Sequence, residues 1–196
     1  LMAVAGIQPK DLTALNVCRG PGSFNGVRVG VAAAKGLALA LDIQVAGVST
    51  LEVEAFAYAA SGLPICPIQG AGRGELAVAQ FQGGEAGWRR LWDDQLLTPE
   101  SLARRVKRRT IICGQIKLEV KAILEERLGK KAVVVSGSVR RAGYLARLGW
   151  ELHRQGKGED AASLQALYLR PPAITQRQKP NDPDQARFYF NGDYAS

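Results

Sequence analysis

Apolar and polar positions along this chain switch between two periods, and the switches mark its elements. Leu12, Leu15 and Val17 lie in a short apolar run ending at Cys18, which predicts a buried strand over Leu12 to Cys18. Gly20-Pro21-Gly22 then forces a turn, because glycine admits positive φ while proline fixes its own φ and withholds a donor. From Ser23 to about Leu41 the pattern is helical. Gly26, Gly30, Ala33, Ala34 and Leu37 recur at spacings of three and four, while Val27, Val29, Val31, Leu39 and Leu41 fill the other faces. Only Arg28 and Lys35 are charged in this stretch. A helix apolar nearly all round is expected to be covered, and its row of small side chains asks for a second helix at close range. Ser23 is the expected N-cap.

Downstream the periods alternate again. Asp42 to Val48 is a short apolar segment, and Ser49-Thr50-Leu51-Glu52 has the spacing of a capping box opening a helix from about Thr50 to Ala60. Ser61-Gly62-Leu63-Pro64 ends that helix, followed by strands at Ile65 to Ile68, Leu76 to Gln82 and Trp88 to Trp92, a meander around Gly83-Gly84. Thr98-Pro99-Glu100 opens another helix with a hydroxyl cap, proline at the first position and an acid in the first turn. It ends among Arg104, Arg105, Lys107, Arg108 and Arg109, which suit either a solvated helix end or contact with RNA phosphates. Ile111 to Gly114, Ile116 to Leu128 and Ala132 to Val135 read as strand, helix and strand of a parallel α/β unit. A last amphipathic helix runs from Ser138 to about Gln155, with Tyr144, Leu145, Leu148 and Leu152 on its apolar side. Asp160 opens a short helix, Tyr168 to Pro172 closes the fold, and the polar, proline-containing stretch from Thr175 to Ser196 reads as a disordered tail with an aromatic patch at Phe188-Tyr189-Phe190.

Composition narrows the picture. The chain has 196 residues, 46% of them hydrophobic, enough for one substantial core or two small ones. Cys18, Cys66 and Cys113 are odd in number, far apart and set in apolar runs, as reduced core thiols would be. A formal net charge of +8 keeps an RNA partner open. The region of Ser23 to Leu41 makes a poor membrane span, interrupted as it is by Arg28, Lys35 and several glycines. As a phosphate cradle it lacks the Gly-Lys-Ser/Thr ending of a P-loop, and Gly20, Gly22 and Gly26 miss the dinucleotide spacing by one residue. The chain begins with Leu1-Met2-Ala3-Val4-Ala5-Gly6, the last turn of a helix with a glycine cap, which suggests a fragment.

Arg19 to Gly30, continued by Ala33 to Ala40 and by Val48-Ser49-Thr50-Leu51-Glu52, closely resembles the signature block of the TsaB family, the accessory subunit in bacterial synthesis of threonylcarbamoyladenosine on tRNA. Arg73-Gly74-Glu75 and Leu167-Tyr168-Leu169-Arg170-Pro171 resemble later motifs of that family. Asn25 stands where the family usually has threonine, and Gly70 and Gly72 flank Ala71 where it has an aspartate shortly before the arginine. The resemblance implies an α/β, ribonuclease H-like fold of the actin/Hsp70-type ATPase superfamily. Its two lobes would be an incomplete N-terminal lobe at 1–62, lacking three strands, and a second lobe at 63–172, followed by the tail at 173–196. Loss of those strands would leave the edge of the Leu12–Cys18 strand open.

It also implies a function: a cytoplasmic, non-catalytic subunit that docks on the catalytic subunit TsaD, with the ATPase TsaE joining the assembly, tRNA as substrate of the complex, and a homodimer as the alternative pairing. No cofactor, metal or membrane is expected. TsaD relies on two histidines of one helix for its metal, and this chain has one histidine, His153. The residues expected to meet the partner are Ser23, Phe24, Gly26, Val27, Gly30, Ala33, Ala34 and Leu37. Two other classes remain: a glycoprotease-like peptidase using Glu75 or His153, and a nucleotide-binding module.

Overall fold

The computed structural model describes residues 2–85, 87–137 and 140–170. After a single helical turn α1 (Met2–Ala5), closed by Gly6, strand β1 (Ala14–Cys18) runs into the glycine-rich turn and helix α2 (Phe24–Leu41). Strand β2 (Gln44–Val48) returns parallel to β1, with Ala14 opposite Gln44 and Cys18 opposite Val48. Helix α3 (Thr50–Phe56) leads to a second sheet, built of β3 (Pro64–Gly72), β4 (Glu75–Gln82), β5 (Arg89–Leu97), β6 (Thr110–Gly114) and β7 (Ala132–Ser136). Its order is β5-β4-β3-β6-β7: β3, β4 and β5 form the expected antiparallel meander, while β6 and β7 lie parallel beyond β3. Helices α4 (Pro99–Arg105) and α5 (Leu118–Leu128) precede and follow β6, and α6 (Ala142–Arg154) ends the helical part.

The five-stranded sheet is buried on both faces, which is why its central strands read as continuous apolar runs. Cys66, Ile68, Val78 and Ile112 point toward Leu102 of α4 and Leu124 and Leu128 of α5. Their alternates Ile65, Ala77, Ala79, Phe81, Ile111 and Cys113 meet Leu51 and Ala55 of α3. The small sheet is sandwiched instead. Leu15, Val17 and Val45 face Val31 and Ala38 of α2, together with Ala161 and Leu164. Cys18 and Val48 face Leu145, Leu148 and Leu152 of α6. A chain segment from the far end thus completes the small sheet: Glu159 exchanges backbone hydrogen bonds of 3.0 and 2.8 Å with Val45, capping the outer side of β2. On β1 the outer edge has no strand against it among the described residues.

α6 approaches β1 so closely that a Cβ on Gly149 would lie 2.1 Å from the Asn16 side chain, so only glycine fits. The first sheet therefore draws on residues both before and after Gly62.

Several local expectations change. The α3 helix ends at Phe56, and Ala59–Ser61 is a separate 3-10 turn. The capping box does not form. The Ser49 hydroxyl donates to Asp94 Oδ1 at 2.6 Å, and Glu52 accepts from Trp88 Nε1 at 2.9 Å and Arg90 Nη2 at 2.8 Å. These two residues are spent on tying α3 to β5 rather than on their own helix. Ser23 likewise makes no cap bond through its side chain, whereas Thr98 does, accepting from Ser101 N at 3.3 Å. The third meander strand is longer than its apolar part, running to Leu97. Asp160 opens a turn, its carboxylate accepting from Ala162 N at 2.9 Å, and no helix follows among the described residues. The cap expected at Ser138 and the tail at 173–196 lie outside the described residues.

Candidate functional site

Among the described residues α2 is the helix long and apolar enough to cross a bilayer by length and composition. Its inner face is nevertheless seated on protein. Val31 and Ala38 are buried against the small sheet, and Lys35 Nζ donates to the carbonyls of Ala162 and Leu164 at 3.1 and 3.2 Å. The rest of the helix is open, contrary to the covered helix its composition suggests: Val29 is 69% exposed and Leu39 62%, with Phe24 and Leu37 also exposed.

The eight residues expected to meet a partner are split by this orientation. Ser23, Phe24, Gly26, Ala33 and Leu37 are exposed. Val27, Gly30 and Ala34 are half-buried: Val27 and Ala34 pack on the core under α2, and a Cβ on Gly30 would meet Val17 at 4.0 Å. The open face is centred on Val29, Ala32, Ala33 and Gly36, roughly one residue step of about 100° around the helix from the row of small residues. Val29, Ala32, Gly36 and Leu39 were not among the expected contacts. The i, i+7 pair Val31 and Ala38, which sets the inner face, was a faint signal for their exposure because every face of the helix is apolar.

The head of α2 is fixed by backbone hydrogen bonds. Arg19 N donates to Val48 O at 3.0 Å, Thr50 N to Gly20 O at 2.8 Å, and Leu167 N to Arg19 O at 2.6 Å. Gly20 has φ +110°, and a Cβ there would lie 2.8 Å from Leu167 O, so the turn needs glycine on two counts. Phe24 then projects at the surface between Tyr168, 5.5 Å away ring to ring, and the Arg28 guanidinium, 5.0 Å from its ring centre.

The hydrolase candidates lie apart. Glu75 begins β4 and pairs with Arg170, not with Arg73 beside it. Arg73 and Gly74 both take positive φ in the β3–β4 turn. His153 Nε2 sits 3.1 Å from Asn16 Oδ1 and 3.3 Å from Leu15 O, both acceptors, so this nitrogen carries the proton and pins α6 to β1. Among the described residues neither is hydrogen-bonded to the other or to a serine, threonine or cysteine side chain. Of the thiols, Cys66 and Cys113 are buried and Cys18 half-buried, all three free. Burial pushes the Cys66 thiol up to about 12 and raises Cys18 and Cys113 as well, which keeps them protonated and unreactive at neutral pH.

A cavity of about 610 Å³ opens where the C-terminal ends of β3 and β6 meet, lined by Gln69, Arg73, Glu75, Leu76, Ile116 and Lys117. A separate small pocket, which shares Gln69 and Gln115 with this cavity, holds Glu54, 7% exposed, with Oε2 3.5 Å from Arg140 Nε and Oε1 buried without a partner among the described residues. The glycine-rich turn that a nucleotide-binding reading would place at such a cleft is not part of the cavity's lining; in that turn Arg19 N–H donates to β2, while the carbonyls of Gly20 and Arg19 accept from Thr50 and Leu167.

An α/β chain with a parallel two-stranded sheet, a helix on each of its faces and a mixed second sheet belongs to the ribonuclease H-like class. Comparison with solved structures agrees: a Pseudomonas aeruginosa protein described as uncharacterized with similarity to peptidase YEAZ superimposes with TM-score 0.72 at 26% identity, covering 86% of this chain and 79% of the other. YeaZ from Pseudomonas aeruginosa also gives TM-score 0.72, at 24% identity, over 86% of this chain and 80% of that one. The family profile of TsaD, tRNA N6-adenosine threonylcarbamoyltransferase, matches residues 1–155, and the chain belongs to that family. Its curated relatives include the tRNA threonylcarbamoyladenosine biosynthesis protein TsaB of Bacillus subtilis (strain 168), 44% identical over 78 residues, 38% of this chain and 32% of the relative. TsaB of Escherichia coli (strain K12) is 36% identical over 110 residues, 55% of this chain and 48% of the relative. A tRNA N6-adenosine threonylcarbamoyltransferase of Nitratidesulfovibrio vulgaris (strain DP4) is 46% identical over 57 residues, 29% of this chain and 16% of that protein. The chain is thus TsaB-like, and it spans less than half the length of these curated relatives.

Proposed function

We propose that this chain acts as a non-catalytic accessory subunit in bacterial tRNA threonylcarbamoyladenosine synthesis, docking the outer face of α2 on a helix of TsaD. TsaE joins the same assembly, tRNA is the substrate of the whole, and the setting is the cytoplasm. A lobe at 1–62 docking and a lobe at 63–172 supporting it is the division of labour in this reading. One observation carries it: an 18-residue helix of about 27 Å, pinned to the fold on one side, leaves Val29, Leu37 and Leu39 in solvent on the other. An apolar strip of that length is a contact surface rather than an ordinary exterior. Between its large side chains, Gly26, Ala32, Ala33 and Gly36 allow a second helix to approach closely.

Mechanistically the subunit supplies binding, not bond-making: holding a productive state of TsaD is worth as much as the difference in affinity between that state and the others. Co-purification with TsaD tests it. The wild-type chain is expected to capture TsaD at equal stoichiometry, and Leu39→Glu to abolish capture while melting normally. Unaltered capture by Leu39→Glu would remove this face from the account. Leu39-dependent self-association without TsaD capture would replace the heterodimer by a homodimer.

A further inference from the structure

We infer that the edge of the five-stranded sheet opposite the cavity is a binding surface for the phosphodiester backbone of RNA. One row across the sheet runs Arg89, Gln82, Pro64, Thr110, Ala132, the first or last residues of β5, β4, β3, β6 and β7. Four inter-strand steps make this row about 19 Å long. Cations stand along it throughout: Arg89 itself, Lys107, Arg108 and Arg109 just before Thr110, and Lys130 and Lys131 just before Ala132, all exposed. None of these six has a carboxylate within ion-pair distance among the described residues; other cations such as Arg28, Arg73 and Arg147 are likewise without one, and what sets the six apart is that they share one end of the sheet. Glu85 and Asp93, the acids nearest in sequence to Arg89 at four residues on either side, form no such pair.

The centre of the row shows how the charge is arranged. Arg89 Nη2 and Arg108 Nη2 both donate to the single amide oxygen of Gln82, at 3.1 and 3.4 Å, while Gln82 Nε2 is locked to Gly62 O at 2.8 Å. Two guanidinium groups on one neutral oxygen repel each other, and a phosphate between them would relieve that repulsion through their planar donor forks. A ridge of unpaired cations fits a polyanion. No exposed large hydrophobic residue lies among these six cations, so the apolar anchor a membrane surface needs is missing there. This surface rests on the family's connection to tRNA, but not on α2, which packs on the other sheet.

Fluorescence anisotropy with bacterial tRNA, titrated against salt, tests the inference on the full chain. Arg89→Gln combined with Arg108→Gln is expected to weaken binding about tenfold at low salt and to reduce the slope of log affinity against log salt by about 1.5. The charge-matched control, Arg147→Gln with Arg154→Gln on α6, should change affinity less than twofold. Equal losses in the two double variants, or none in the first, would overturn the inference. So would binding to phosphatidylglycerol vesicles in the absence of tRNA binding. TsaD capture measured on the same proteins separates the readings: capture with no edge dependence of tRNA binding sinks only this inference, and edge-dependent binding without capture sinks only the docking reading.

Discussion

The two sheets of this protein are built to different standards. In the five-stranded sheet both faces are sealed, Phe81, Ile65 and Ile112 reach zero exposure, and α3, α4 and α5 take up every alternate side chain. In the two-stranded sheet all five residues of β1 are only half-buried, its outer edge is unpaired among the described residues, and the helix over it buries just Val31 and Ala38. In the proposed reading the difference separates stability from recognition: the large sheet holds the fold, and the helix over the small one presents apolar surface that is not used internally. Segments drawn for recognition come from the less buried parts of a structure as a matter of energetics.

That contrast predicts a graded series of effects. The largest is in the large sheet: Phe81→Ala, which removes a ring stacked on Trp88 at 5.4 Å and covered by Arg90 at 4.6 Å, is expected to cost about 3–5 kcal/mol in urea unfolding. A loss of less than about 1 kcal/mol would show that the large sheet is not the stabilising unit. Next comes the seam between α6 and β1, where Gly149→Ala would force a Cβ onto Asn16 and should cost about 1–3 kcal/mol, with hydrogen exchange accelerating first in β1.

The thiols give a pH-dependent effect of the large core. Cys66 and Cys113 release their protons more readily in the unfolded chain, near the ordinary 9.0, than in the fold, where burial holds Cys66 up to about 12. Between these values the folded state binds more protons, so stability is complete below pH 9 and falls as pH rises toward 12. Cys66→Ala should flatten that fall relative to wild type; identical slopes would contradict the assignment. Smaller still, Arg170→Ala removes a pair whose two side chains are each about a third exposed (34% and 33%), and should shift stability by no more than about 1 kcal/mol. Smallest is Val29→Glu on the open face of α2, expected to leave the melting transition within about 0.5 kcal/mol of wild type. A large destabilisation there would mean that the face is already part of the core.

Much of the large sheet was legible beforehand because its strands alternate cleanly: Ile65 against Cys66, Ala77 against Val78 and Ile111 against Ile112 fall on opposite faces as a period of two requires. Thr98-Pro99 was legible for a local reason, since cap and first turn lie within three residues of each other. What escaped prediction was settled by distant partners. Ser49 and Glu52 have the spacing of a capping box, yet Asp94 and Arg90 of β5 and Trp88 just before it compete for them and win. Glu75 found its cation 95 residues away in Arg170. The phase of α2 was illegible for another reason. A helix apolar on all sides has no contrast from which to read its inner face, so small residues pointed to Gly30 and Ala34, which turn toward β1, while Val29 and Leu39 stand outside.

Hydrogen–deuterium exchange of the chain with and without TsaD reads the central claim most directly. The account predicts new protection concentrated in residues 24–41, with the strands of the large sheet unchanged. Complex formation that leaves residues 24–41 exchanging as in the free chain would contradict it.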